Sequence, residues 1–320
     1  MGSKYAILYH DLSVMLDAGL PILKTLNIAT ECLQGRLKII FTEISKSVSQ
    51  GNSLADSMDK YSKNFASLDI MLIKSAELSG ELPNCFKMLS NWYEFTYRMK
   101  GIILSGLILP LLIFHIMVFI VPLPSVVLGH ISINQFLTKT GIGLGILYLL
   151  IGIAFIAYHL IYKEGFLRKP CDTMVLKIPV LGLAVRQLSI CRYCRGFNML
   201  YKAGVPIKEC TTQAPELTGN LAISNMFKGG AASIAAGKTA YEGFSRKLPR
   251  EYLELWYIGE ETGELDKTVD KIAEISGDRA EHMLTEIAKW IPKILYALVC
   301  FILIIQIFRT AMKVYRVDIP

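Results

Sequence analysis

The chain has no concentrated run of Lys or Arg, no zinc-finger spacing, no alternating apolar and polar stretch of strand length, and no apolar leader behind its first residue. Without a basic cluster, the formal charge of +7 is a scattered surface property, and no nucleic acid is expected as a partner. Without alternation, the secondary structure is expected to be helical throughout. Met1 to Asp11 is polar, so no cleavable signal peptide is expected. Ala6 breaks the myristoylation pattern that Met1, Gly2 and Ser3 begin, and the N-terminus is expected to stay in the cytoplasm. The seven cysteines are an odd number, which excludes a complete disulfide framework. Cys300 lies in an apolar run, while Cys191 and Cys194 form a CxxC inside residues that read as helix, with Cys171 and Cys210 at irregular distances. Reduced thiols without metal or redox use are expected.

Charge is also scarce. With 19% charged and 52% hydrophobic residues, and a mean hydropathy of +0.41, the chain is too apolar for an ordinary soluble protein and too charged to lie wholly in lipid. A membrane protein with sizeable aqueous domains fits both properties.

What is present is a long internal repeat. Ala18-Gly19-Leu20-Pro21 returns as Ala203-Gly204-Val205-Pro206. At the same shift of about 185 residues, Tyr5, Leu8, Leu12, Met15, Leu16 and Glu31 meet Ile190, Tyr193, Phe197, Leu200, Tyr201 and Glu216. A second landmark, Gly51-Asn52-Ser53-Leu54-Ala55-Asp56, meets Gly237-Lys238-Thr239-Ala240-Tyr241-Glu242. A third, Ala76-Glu77-Leu78-Ser79-Gly80-Glu81-Leu82, meets Gly259-Glu260-Glu261-Thr262-Gly263-Glu264-Leu265.

Apolar residues at Leu8, Leu12, Met15 and Leu16 recur at helical spacing. Gly19 suits a left-handed helix end and Pro21 suits the start of the next helix, giving a helix, tight turn, helix unit. Further helices are expected over 33–48, after Ser53, over 66–78 and from Leu82 toward Lys100, making a bundle of about six helices. Ser53-x-x-Asp56 reads as a capping box, and Thr239-x-x-Glu242 as the same device.

Three apolar runs, 101–121, 141–161 and 291–312, are each long enough to cross a bilayer, which takes about 20 helical residues. Pro110 is an expected kink in the first, and Gly141-x-x-x-Gly145 permits close helix contact in the second. Lys293 and Arg309 must snorkel to the headgroups in the third. Arg98 and Lys100 precede the first run, and Lys163, Arg168 and Lys169 follow the second; between the runs, 122–140 holds Lys139 as its only basic residue. The positive-inside rule therefore places 1–100 and 162–290 in the cytoplasm and 122–140 outside. Three spans place the tail 313–320 outside, against the pull of Arg309, Lys313 and Arg316.

Each unit is thus a helical bundle running into a membrane helix, with one more span between them. This arrangement resembles the inner-membrane platform protein family of type II secretion and type IV pilus assembly systems. The residues that carry the likeness are Leu12 to Pro21 with Phe197 to Pro206, Gly51-x-Ser53-Leu54-Ala55 with Gly237-x-Thr239, and Glu77-x-x-Gly80-x-Leu82 with Glu260-x-x-Gly263-x-Leu265. The likeness implies an all-α membrane protein with two homologous cytoplasmic six-helix bundle domains and three transmembrane helices. It implies a non-enzymatic scaffold that couples a cytoplasmic assembly ATPase to pilin or pseudopilin filament growth, among other inner-membrane assembly proteins and further copies of itself. Longer members carry an extra cytoplasmic segment before the first repeat, so a compact pilus-type member is expected. A transporter or permease subunit is the alternative reading.

Other features invite chemistry. Ala232 to Thr239 is one residue from a phosphate-binding G-x-x-x-x-G-K-T loop, but Ala232 replaces its first glycine and no strand precedes it. No catalytic residue, cofactor or metal is therefore expected. Glu77 and Glu81, or Glu260, Glu261, Glu264 and Asp266, have the oxygen chemistry of a calcium site, but solvated charges at a helix junction are the expected reading. His115 and Gln306 are polar positions inside the first and third runs, expected to bond to neighbouring helices.

Overall fold

The computed structural model describes residues 2–120, 122–127, 129, 132–164 and 168–316, which form helices and turns with no strand among them. In the first half lie α1 (Gly2–Asp17), α2 (Ile22–Cys32), α3 (Arg36–Ser49), α4 (Leu54–Asp59), α5 (Ser67–Ser79), α6 (Leu82–Ile120), α7 (Leu123–Val127) and α8 (Ile133–Glu164). In the second lie α9 (Arg168–Lys177), α10 (Leu181–Lys202), α11 (Ile207–Gln213), a 3-10 turn (Ala214–Thr218), α12 (Leu221–Phe227), α13 (Gly229–Ala235), α14 (Ala240–Gly243), α15 (Arg250–Thr262) and α16 (Leu265–Arg316).

The second repeat departs from the expected six-helix pattern. The counterpart of α2 breaks into α11 and the 3-10 turn where Pro215 withdraws a backbone donor. The counterpart of α3 breaks at Gly229, where a side chain would collide with the carbonyl of Gly243, so the chain bends to let the two backbones meet.

The chain divides into two compact units, Met1–Lys100 with Ala184–Ala280, and Gly101–Leu183 with Glu281–Pro320. The first unit holds both repeats. Its first-repeat core stacks Tyr5 on Tyr93 at 5.3 Å and Tyr9 on Phe86 at 5.8 Å, above buried Leu12, Leu26, Ile44 and Leu72. Its second-repeat core stacks Tyr193 on Phe227 at 3.6 Å and sets Phe197 edge-on to Trp256 at 4.7 Å. The repeats meet where the Arg195 guanidinium lies 4.1 Å from the centre of the Phe95 ring, and where the Ser75 hydroxyl donates to the carbonyl of Ala203.

Two helices among the described residues are long and apolar enough to cross a membrane, within Leu82–Ile120 and Leu265–Ile305. They contain most of the expected spans 101–121 and 291–312. The expected span 141–161 falls inside α8, part of whose side chains lie outside the described residues. That helix starts at Ile133, well before Gly141, because Ser132 and Gln135 form a capping box with both backbone-to-side-chain distances at 3.3 Å. The bent pair Pro170–Lys177 and Leu181–Lys202, at 119°, also passes on length and hydropathy. Its second arm carries Arg186, Arg192 and Arg195 and buries Gln187, Ser189 and Asn198, so it is a bundle helix. In the second unit α6 and α16 approach to backbone contact, since a Cβ on Gly106 would lie 2.7 Å from that of Ala288.

Candidate functional site

The landmarks of the sequence fold into three glycine turns per repeat. Gly19, Gly51 and Gly80 have φ of +83°, +91° and +75°, and Gly204, Gly237 and Gly263 have +79°, +76° and +73°. All are left-handed, the region in which a Cβ collides with the following carbonyl. After α1 the amide of Leu20 donates to Met15 O at 3.1 Å and that of Gly19 to Leu16 O at 2.9 Å. After α10 the amides of Val205 and Gly204 do the same to Leu200 O and Tyr201 O, both at 3.1 Å. Both are Schellman ends, and Pro21 and Pro206, at φ of −60° and −55°, then cap the following helices.

Space around Gly19 and Gly204 is open, with nothing within 4 Å of a built Cβ, so a side chain there meets only backbone strain. Gly19→Val and Gly204→Val are each expected to cost about 1–2 kcal/mol. Pro21→Ala and Pro206→Ala should cost less, because other residues begin helices as well. Thermal unfolding of the full chain in detergent measures this; a valine variant that melts with the parent would show that the turn does not depend on glycine.

The second and third landmarks turn out to be one device. Glu77, near the end of α5, accepts from the amides of Leu54 at 2.7 Å and Ala55 at 3.1 Å. Glu260, near the end of α15, accepts from Ala240 at 2.7 Å and Tyr241 at 3.0 Å. Each carboxylate thus caps the positive end of a short helix about 20 residues away in sequence, satisfying two otherwise orphaned donors. Gly80 and Gly263 end the helices that carry these glutamates.

Ser53 contributes in the first copy, accepting from the Asp56 amide at 3.0 Å. Thr239 makes no side-chain cap, which corrects the reading of Thr239-x-x-Glu242 as a capping box. The α14 helix is only 4 residues long, Glu260 already holds its first two amides, and Glu242 turns to Lys238, with Nζ and Oε2 3.2 Å apart. Thr239→Ala is therefore expected to be nearly neutral. Lys238 is committed to that ion pair, and helix α13 rather than a strand precedes it.

This doubled geometry has a counterpart in known proteins. The family model for "Type II secretion system (T2SS), protein F" matches twice, over residues 8–128 and 193–308. The chain belongs to the type II secretion system protein F family. The two matches begin about 185 residues apart, which is the repeat shift itself. Among relatives, the type IV pilus assembly protein PilC of Pseudomonas aeruginosa is 25% identical over 293 residues, 84% of this chain and 77% of that protein. PilC of Thermus thermophilus is 27% identical over 293 residues, covering 84% and 71%. The type II secretion system protein F of Aeromonas hydrophila is 24% identical over 294 residues, covering 85% and 75%.

In this secretion protein F family member, no three His, Cys, Asp or Glu side chains among the described residues form a metal-holding group. Glu77 and Glu260 are turned to backbone amides, Glu81 accepts from the Asn84 amide at 2.5 Å, and Glu264 pairs with Lys267 at 2.6 Å. The CxxC thiols of Cys191 and Cys194 are buried, and burial pushes both above the usual thiol range, opposite to a reactive pair. His115 places Nδ1 2.7 Å from Leu111 O and Nε2 2.9 Å from the Tyr148 hydroxyl, linking α6 to α8. The side chain of Gln306 lies outside the described residues. Sequence reading missed Asp69, which is fully buried with its Oδ2 accepting from Tyr93 at 2.6 Å and Tyr9 at 3.1 Å. Its signal was a lone acid among Leu68, Leu72, Ile73 and Ala76 on the buried face of α5.

Proposed function

We propose that this chain is a non-enzymatic inner-membrane platform that couples a cytoplasmic assembly ATPase to the growth of a pilin or pseudopilin filament, in type IV pilus biogenesis or type II secretion. The observation that carries this reading is the double family match over a doubled set of turns and caps. Both repeats stand in the cytoplasm in this reading, on three spans that include α8, and the chain works in several copies beside other inner-membrane assembly proteins. The glutamate-capped turns serve as rigid corners that hold helix ends for partners rather than as chemistry. A strain lacking the chain is expected to lose surface filaments or secretion and to regain them with the wild-type gene. Solute flux through purified chain in proteoliposomes would instead support a permease subunit.

The topology has its own test, motivated by the scarcity of Lys and Arg over 122–140. A reporter active only outside the cytoplasm is expected to be active when fused at Ser132 and silent at Lys60 and Lys238. Activity at Lys238 would overturn the arrangement.

A further inference from the structure

Where the two repeats meet inside the first unit there is a cleft. One part, about 250 Å³, is lined by Trp92 of α6, by Arg195, Asn198 and Lys202 of α10, and by Asp270 of α16. It shares Met88, Asn91 and Lys202 with an adjoining part of about 400 Å³ that reaches Glu81, Lys87 and Ala203. Together these have the size of a small-molecule site.

The lining has unmet requirements. Asn198 is 5% exposed, and its amide oxygen has no hydrogen-bond partner. A buried acceptor in that state calls for a donor. The Arg195 Nε is buried and unpartnered, but its guanidinium is engaged, stacked over Phe95 and bonded to the Cys191 thiol. Among the described residues Lys87 and Lys202 make no ion pair, and no ring stacks on Trp92. The repeat supplies a control: at the positions of Arg195, Asn198 and Lys202 the first repeat has His10, Ser13 and Asp17. The common bundle therefore does not require the basic and amide set.

We propose that this cleft binds a nucleotide. Phosphate oxygens suit Lys87 and Lys202, a planar base suits the Trp92 ring, and base N–H groups suit the orphaned Asn198 oxygen and the Asp270 carboxylate. An acidic peptide would answer the lysines and could donate a backbone N–H to Asn198, but its carboxylates offer no planar group to Trp92. Because α6 belongs to the first repeat and α10 to the second, the bound molecule would bridge the two. The Ser75–Ala203 bond places the cleft beside the Gly204 turn. The proposal is one of binding, without turnover, and it is separate from Gly237-Lys238-Thr239.

The test uses the full-length chain in detergent, with AMP, ADP and GMP as probes beside inorganic pyrophosphate and an oligoglutamate peptide, read by equilibrium dialysis and thermal shift. At least one nucleotide is expected to bind saturably, and about tenfold or more tighter than pyrophosphate or the peptide. Asn198→Leu should weaken that binding about tenfold while the unliganded protein melts no lower, because the variant removes an unsatisfied buried acceptor. Lys202→Ala, at an exposed position, should weaken it similarly and keeps the test open if Asn198→Leu misfolds. Three outcomes would each overturn the proposal: no saturable nucleotide binding at millimolar concentration, pyrophosphate or peptide binding as tightly, or affinity unchanged in both variants.

Discussion

Glu77→Ala and Glu260→Ala are each expected to destabilise the chain by about 3 kcal/mol, more than the loss of either turn glycine or of the Ser53 cap. Each carboxylate accepts two backbone donors, and hydrogen bonds to a charged acceptor contribute about 1.5–3 kcal/mol apiece. Both glutamates are half-buried, which places the sum toward the lower end of that range. Glu→Gln keeps one acceptor oxygen and should lose about half as much. Ser53→Ala gives up one ordinary cap, about 1 kcal/mol. Unfolding of the full chain in detergent ranks the variants, and an alanine variant at either glutamate with the parent's stability would sink this account of the motif.

The second large effect is a dependence on pH. Desolvation raises the Asp69 carboxyl to about 6, against the lowering effect of the hydrogen bonds from Tyr93 and Tyr9. Unfolded, the group titrates near about 4. The folded chain therefore holds a proton that the unfolded chain has lost between those values. The resulting stability is fully present below about pH 4 and is lost as pH rises through about 6, amounting to about 3 kcal/mol. Asp69→Asn removes the titration while keeping an acceptor for a tyrosine. The stability of wild type relative to the variant should fall by about 3 kcal/mol from about pH 4 to pH 7. Other carboxylates titrate equally in both proteins and cancel in the difference. Parallel pH profiles would show that Asp69 does not titrate in this window.

The sequence made the helices and turns legible because their determinants are local. A glycine at a helix end, a proline just after it and apolar residues at helical spacing are readable one residue at a time. The carboxylate caps were not readable, although Glu77 and Glu260 were both singled out as part of a landmark. Their meaning depends on the short helices that begin at Leu54 and Ala240, and no spacing rule links those to an acid a full helix away. Reading Thr239 as a cap failed for the same reason, since the competing acceptor comes from elsewhere in the fold. Asp69 was hidden by the repeat itself: the second copy has Tyr252 at that position, which donates to Gln187 at 2.8 Å and accepts from the Arg279 guanidinium at 3.1 Å. Comparison of the copies thus revealed what they share and obscured how each fills its own core.

The boundaries between the two compact units fall inside helices rather than in linkers: Lys100 and Gly101 are consecutive in α6, Leu183 and Ala184 in α10, and Ala280 and Glu281 in α16. A protease that needs an extended, unhydrogen-bonded segment has no such segment at any of the three crossings. Limited digestion should therefore leave each bundle attached to its apolar helix. Any water-soluble fragment has to be made by cutting through a helix, which leaves about four backbone groups at the new end without partners. Such a fragment needs a designed cap at its new terminus, a glycine after the last turn of α6 for example, before its melting temperature says anything about the bundle it was meant to represent.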